Sequence, residues 1–285
     1  MKIQSLSVVV PGKNCVNNCQ CCVSKMNADN KLYKNQLEEN LAFYDLYLND
    51  YIKRLEFCRD AGCNTLILTG DIEPQQNYRF LGDFGIMMKL MERPFRNIEI
   101  QTTGVLIDNP TLRFLRNHVG VNTIALSLFS YDNAENQKCR NSKLELDIVE
   151  FCKQVKLYDF NLRLCINLTK NFFGKAVFDI AEELGADQVT LRKLYDANNG
   201  SSQSQWVKEN CLDDDSYLLL RSWVKGHPSI RKLEYGRKAH NVLGMSVMLD
   251  DDSMAKEDSE DFKYVIIRPN GKLYGSWDDP ASLIF

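Results

Sequence analysis

Three cysteines within GKNCVNNCQCCVSK, at Cys15, Cys19 and Cys22, are spaced C-x3-C-x2-C directly after a short apolar run, and this spacing constrains the chain more than any other feature. Three thiolates in one tight loop can hold three corners of a 4Fe-4S cube and leave the fourth iron without a protein ligand, open to an exogenous chelating molecule. A zinc knot is the competing reading, because the spacing is sterically open to it as well. Structural zinc takes four ligands, usually with a second Cys or His pair at short spacing, and no such pair follows. His118, His227 and His240 are the only histidines, and all are distant in sequence.

A chain of 285 residues, 44% of them hydrophobic, can bury a full core as one domain with an elaboration or as two. Its net charge of -3 argues against wholesale nucleic-acid binding, which draws on a basic face. No apolar run approaches the length of a bilayer crossing, and MKIQSLSVVV is too short and strand-like for a signal peptide, so a cytoplasmic location without membrane attachment is expected. In that reducing compartment the ten cysteines serve as thiols or metal ligands rather than disulfides. Cys58, Cys63, Cys139, Cys152, Cys165 and Cys211 are scattered with no second C-x-x-C, so they read as small buried hydrophobes and no auxiliary cluster domain is expected.

Strand-like runs alternate with helical patterns through the first two thirds, as in βα units around a parallel sheet or barrel. Strands are expected at Leu6 to Val10, Thr65 to Thr69, Ile98 to Thr103, Thr123 to Phe129, Asn161 to Leu168 and Gln188 to Leu194. Helices are expected over Gln36 to Arg59, Leu144 to Val155 and Ala176 to Leu184. Within the fourth and fifth strands Ile124, Leu126, Leu128 and Leu162, Leu164, Ile166, Leu168 alternate with Thr123, Ala125, Ser127 and Arg163, Cys165, Asn167. A strand of an ordinary doubly wound sheet is apolar on both faces, so this polar face should line a cavity. Six units cannot close the usual ring of eight, which predicts an α/β fold built as a partial (βα)6 TIM-like barrel over residues 1–199, with an open side. Residues 200–285 read as a C-terminal α/β extension capping the mouth: a helix from Tyr217 to Lys225, an acidic and mobile loop over Asp250 to Asp261, and a hairpin turning at Pro269-Asn270-Gly271.

With its cysteine spacing in the loop after the first strand, the chain resembles the radical S-adenosylmethionine (SAM) superfamily. The resemblance implies a 4Fe-4S cluster on Cys15, Cys19 and Cys22, with SAM chelating the unique iron and being cleaved reductively to a 5'-deoxyadenosyl radical. It departs from the family at Cys21, which stands where an aromatic residue usually lies near the adenine. Thr69-Gly70-Asp71-Ile72-Glu73-Pro74 follows the second strand where the family carries a Gly-Gly-Glu-like motif that grips the SAM amino group. Its acid and carbonyls are the acceptors an ammonium needs. The bland reading, acidic residues at the positive end of a helix dipole, is compatible with it.

The resemblance also places Thr102, in Gln101-Thr102-Thr103-Gly104, near SAM. Ser127 in SLFS occupies the position of a family serine that bonds the SAM carboxylate or ribose, and Asn167 in CINLTKN matches a polar ribose contact. Arg140, read as beginning a helix where the dipole disfavours a cation, matches an arginine that anchors the SAM carboxylate, a role suited to a bidentate guanidinium. Arg192 is a SAM or substrate contact, while Arg163 either serves likewise or satisfies Glu99 across the barrel. Cys165 reads as a buried structural thiol. Expected partners are a flavodoxin-like or other low-potential reductant and a substrate, first a nucleotide or related small molecule, for which Arg231, Lys232, Arg237, Lys238 and His240 would offer a phosphate patch. A peptide substrate, or a non-catalytic zinc or Fe-S module, are the alternatives.

Overall fold

The computed structural model describes residues 2–27, 48–232, 238–250, 261–277 and 279–284. All six expected strands form: β1 (Ile3–Val9), β2 (Thr65–Thr69), β3 (Asn97–Thr102), β4 (Thr123–Leu128), β5 (Asn161–Leu168) and β6 (Gln188–Lys193). The helices are α1 (Val23–Met26), α2 (Leu48–Asp60), α3 (Tyr78–Leu90), α4 (Asn109–Phe114), α5 (Asn133–Arg140), α6 (Ile148–Leu157), α7 (Ala176–Glu183), α8 (Ser202–Asn210) and α9 (Asp214–Lys225). The first part of the helix expected over Gln36 to Arg59 lies outside the described residues, as does most of the acidic run expected as a loop. α9 begins as its sequence implies, with Asp213 accepting the Ser216 N–H at 2.8 Å.

After residue 200 come β7 (Ser229–Lys232), β8 (Lys238–Val242), β9 (Met245–Asp250), β10 (Phe262–Ile267) and β11 (Leu273–Tyr274). The sheet runs β11-β10-β1-β2-β3-β4-β5-β6-β9-β8-β7. β9 lies parallel to β6 with Asp250 opposite Arg192, and β10 lies parallel to β1 with Tyr264 opposite Ser5. The parallel core therefore has eight strands, β10, β1 to β6 and β9, rather than six. A sheet of six would leave β1 and β6 as long parallel edges with unpaired N–H and C=O groups; the late strands cover both. The strand order has two ends, so among the described residues the sheet remains open. No described helix is long and apolar enough to cross a membrane.

One face of this sheet is buried under helices, with Leu66, Leu68, Ile100, Leu126, Leu164 and Ile166 all fully covered. On the other face the register lines up Gln101, Ala125 and Arg163, then Ser127, Cys165 and Thr190, then Asn167, Arg192 and Asp250. This is the polar interior that the alternation implied. Arg163 reaches across β4, where its neighbour is the small Ala125, to place Nη1 2.7 Å from Glu99 Oε2, and its Nε donates to Thr190 Oγ1 at 2.9 Å. The Glu99 partnership considered from sequence is thus the one that forms.

Local capping fixes how the helices leave the strands. Asp108 opens α4 by accepting from the Thr111 N–H at 2.9 Å and the Thr111 hydroxyl at 2.5 Å. Thr111's hydroxyl, then its N–H, hold the Asp108 carboxyl below its ordinary pKa. The folded value being the lower one, this stabilisation is present above the unfolded pKa and is lost as pH falls through the folded one. Asp108→Ala is expected to lower stability by about 1 kcal/mol near neutrality. In denaturant titrations the gap between the two proteins should close in acid.

Candidate active site

Where β1 ends, the Val10 N–H donates to the Thr69 carbonyl at 2.7 Å, and the chain then turns into the cysteine loop. The Cys22 N–H donates to the Cys19 carbonyl at 3.2 Å, and the Cys22 carbonyl accepts from Met26 at 2.8 Å, so Cys22 opens the single turn of α1. α5 clamps this loop from the side. The Asn18 and Gln20 N–H groups donate to the carbonyls of Arg140 and Cys139, both at 3.1 Å, and Gln20 Nε2 donates to the Lys138 carbonyl at 3.0 Å. Last-turn carbonyls have no acceptor duty within their own helix, so the loop satisfies them. Arg140 is the last residue of α5, which Asn141 terminates at φ 45. This corrects the expectation that Arg140 begins a helix: at a C-terminus its charge is favoured by the dipole.

Burial pushes the Cys19 thiol up to about 12, and negative charge on Cys22, Cys15 and Glu73 acts in the same direction. Cys15 and Cys22 are raised too, again chiefly by burial. Three such thiols hold their protons until a metal group supplies compensating positive charge, and binding it releases them. Among the described residues no three His, Cys, Asp or Glu side chains gather as ligands of one ion. A cubane receives each thiolate on a separate iron. Cys21 packs against the small apolar cluster of Met26, Phe129, Leu194 and Val207, and burial first, then the charges of Cys19 and Cys22, raise its pKa.

The turn after β2 lies tightly over β1. A Cβ on Gly70 would stand 3.1 Å from the Val10 carbonyl oxygen, and Ile72 fills the space that a Cβ on Gly12 would need, 2.0 Å from its Cδ1. Thr69 donates to Gln101 Oε1 at 3.4 Å, and Asp71 accepts from Ser24 at 2.5 Å on the Cys22 side of the loop. Glu73 is 5% exposed and accepts from Thr102 Oγ1 (2.6 Å), the Thr103 N–H (3.1 Å) and Asn17 Nδ2 (3.1 Å). It thereby ties the cysteine loop to the end of β3. Burial raises its pKa against the opposing pull of these donors, Thr102 foremost.

Across the polar face, Asn167 Nδ2 donates to Ser127 Oγ at 3.2 Å and to the Leu128 carbonyl at 3.1 Å, giving a buried mid-strand amide the partners it requires. Arg192 Nε stands 3.4 Å from Asp250 Oδ2. Arg140 differs from all of these. Its side chain is wholly buried, and among the described residues Nε, Nη1 and Nη2 meet no acceptor. Burial lowers its pKa, and the negative charges of Cys19 and Glu73 act the other way. Asn17, buried at 2% exposure with its Oδ1 lacking a donor, was not singled out from sequence. Nothing in the pattern C-V-N-N-C separates it from a loop residue.

No family model matches the sequence, and no curated protein matches it. Solved structures do match. SuiB of Streptococcus suis bound to S-adenosylmethionine aligns at 14% identity and TM-score 0.56, covering 95% of this chain and 58% of its own. Native anSMEcpe with bound AdoMet aligns at 16% identity and TM-score 0.63, covering 99% and 77%. The same protein with AdoMet and the Cp18Cys peptide aligns at 15% and 0.58, covering 98% and 75%. The fold is that of radical SAM enzymes. The chain spans a little under three fifths of the SuiB chain it matches.

Proposed function

We propose that this chain is a radical SAM enzyme that holds a 4Fe-4S cluster on Cys15, Cys19 and Cys22 and binds SAM with the SAM carboxylate on Arg140. The observation that carries this reading is the buried guanidinium without an acceptor, held beside the cysteine loop by bonds from its own helix to that loop. A buried guanidinium whose N–H groups lack acceptors is costly, and an incoming carboxylate would supply them. When bound, the cluster supplies the electron that cleaves SAM to the 5'-deoxyadenosyl radical, and a flavodoxin-like or other low-potential donor replenishes it.

The remaining assignments follow the family resemblance. The Thr69-Gly70-Asp71-Ile72 turn, pressed against the end of β1, borders the methionine end of SAM, with Thr102 beneath it. Ser127 and Asn167, already joined, serve the ribose from the polar face. Cys21 lies toward the adenine, and Arg192 closes the far side with Asp250. Residues 1–199 carry the cluster, and the 200–285 extension covers the mouth.

For the substrate, a peptide is favoured over a nucleotide. Of the basic run that suggested a phosphate patch, His240 is buried with Nδ1 3.0 Å from the His227 carbonyl, and Arg231 and Lys238 are exposed on β7 and β8 at one border of the sheet. Arg237 lies outside the described residues. A peptide is what one matched structure holds together with its AdoMet. Reduced, reconstituted protein should release deoxyadenosine faster with peptides than with nucleotides; stimulation by nucleotides alone would reverse the choice.

Arg140→Met should weaken SAM binding by roughly 10- to 100-fold, the effect of losing a charge-assisted hydrogen bond. In the metal-free variant the cost of burying the guanidinium is removed together with the positive charge that favours the Glu73 anion, so its stability should stay close to that of the wild type. Equilibrium titration and thermal unfolding check the two halves. Unchanged affinity would retire the carboxylate assignment.

A further inference from the structure

α1 has four residues, too few to stand as a helix without outside support. Three of them, one after another, reach to different parts of the fold. Ser24 Oγ donates to Asp71 Oδ1 at 2.5 Å, in the turn after β2. The Met26 carbonyl accepts from Asn199 Nδ2 at 2.6 Å, and its Sδ stands 3.1 Å from the Ala197 nitrogen, both in the segment after β6. Between these two, Lys25 turns back on the cysteine loop itself.

Lys25 Nζ donates to the Asn17 main-chain carbonyl at 3.0 Å and to Asn18 Oδ1 at 2.6 Å. Asn17 and Asn18 lie between Cys15 and Cys19, whereas Lys25 belongs to the turn that Cys22 opens. One ammonium thus joins the first two thiols of the motif to the third. A surface lysine ordinarily extends its charge into water, because fixing so long a side chain costs rotamer entropy. This one is half-buried and spends its donors on two neutral oxygens of the loop. Neither oxygen is a carboxylate, so both bonds leave its positive charge uncancelled at the loop. Asp71 brings the opposing charge on the neighbouring turn, where Ser24 engages it.

The potential of an iron-sulfur cluster is set in part by local net charge and burial. Reduction adds one electron, so a fixed cation near the ligand loop favours the reduced form. We propose that Lys25 is a positioning residue for the cluster: its ammonium braces the Cys15–Cys19 loop against the Cys22 turn and, by its charge, makes the cluster easier to reduce. This rests on the cluster reading above and concerns how that cluster is tuned.

The test is a charge series at residue 25, read as cluster potential by a reductive titration followed in electron paramagnetic resonance, without SAM and with iron content matched. Lys25→Met should make reduction about tenfold less favourable, corresponding to ~59 mV for a one-electron couple. Lys25→Arg should stay with the wild type, and Lys25→Glu should fall below Lys25→Met. A brace without electrostatic effect would not order the variants by charge, so equal potentials in all four would overturn the proposal while leaving the cluster in place. Should the Met and Glu variants fail to retain iron, Lys25→Gln decides the matter, since it keeps a donor for the loop but no charge. A potential below the wild type supports the proposal, and an unchanged one counts against it. A wild type that assembles no cluster would overturn the radical SAM reading itself.

Discussion

Cys19→Ser is expected to leave reconstituted protein almost without iron, whereas Cys21→Ser retains the wild-type content. The two thiols are two residues apart but sit in different surroundings. Cys19 is raised by burial and then by the charges of Cys22 and Cys15, and Cys21 by burial and then by those of Cys19 and Cys22, so it is their packing that separates them. Cys21 lies against Met26, Phe129, Leu194 and Val207. Loss of an outer partner typically costs a metal site roughly 10–100-fold in affinity or activity. Removing one of three direct ligands should exceed that, with the same result for Cys15→Ser and Cys22→Ser. Iron analysis and visible absorbance of the four variants read it out. Iron lost from Cys21→Ser and kept by Cys19→Ser would mean that the ligand set has been misassigned.

The second large effect is expected at Glu73. Leucine there fills much of the volume but leaves Asn17 Nδ2, the Thr102 hydroxyl and the Thr103 N–H without their shared acceptor. Buried donors stranded in this way cost about 1–3 kcal/mol each, and because they share one network the total should be less than their sum, on the order of 3–5 kcal/mol. Denaturant unfolding of the metal-free protein measures it. The pH dependence has a definite sign: burial raises the folded pKa of Glu73, so the stability that its proton contributes is present below the unfolded pKa and is lost as pH rises through the folded one. Glu73→Gln should therefore gain on the wild type as the solution is made less acidic. A Glu73→Leu protein as stable as the wild type would show that the bracket between the cysteine loop and β3 is not structural.

How much of this was legible beforehand varies with the kind of signal. β1 to β6 show in the sequence as strand-like runs between helical patterns, and the alternation in β4 and β5, with Arg163, Cys165 and Asn167 on one face, already implied an interior. β8 and β9 carry no comparable signal. They join through Leu243 and Gly244, both at positive φ (51 and 83), a tight hairpin geometry that usually advertises itself with Asn or Asp at the first position. Leucine there erases the cue. Nor does anything local say that β10 returns to β1, because a long-range pairing is decided by which edge remains open.

At the site, the cysteine motif was fully legible and the direction of α5 was not, although Asp132, whose Oδ1 accepts the Glu135 N–H at 2.8 Å, marks the start of that helix. Read from that cap, Arg140 falls in the last turn. Asn17 was invisible for a different reason. Its place comes from which of its atoms are satisfied once the loop folds against β3, and that cannot be read from residue type.

The most direct test is the electron paramagnetic resonance spectrum of the anaerobically reconstituted, reduced protein, recorded with and without SAM alongside a count of iron per chain. The account expects about four irons and a cluster signal that shifts when SAM is added. A single bound zinc, or a cluster signal that SAM leaves unmoved, would contradict it.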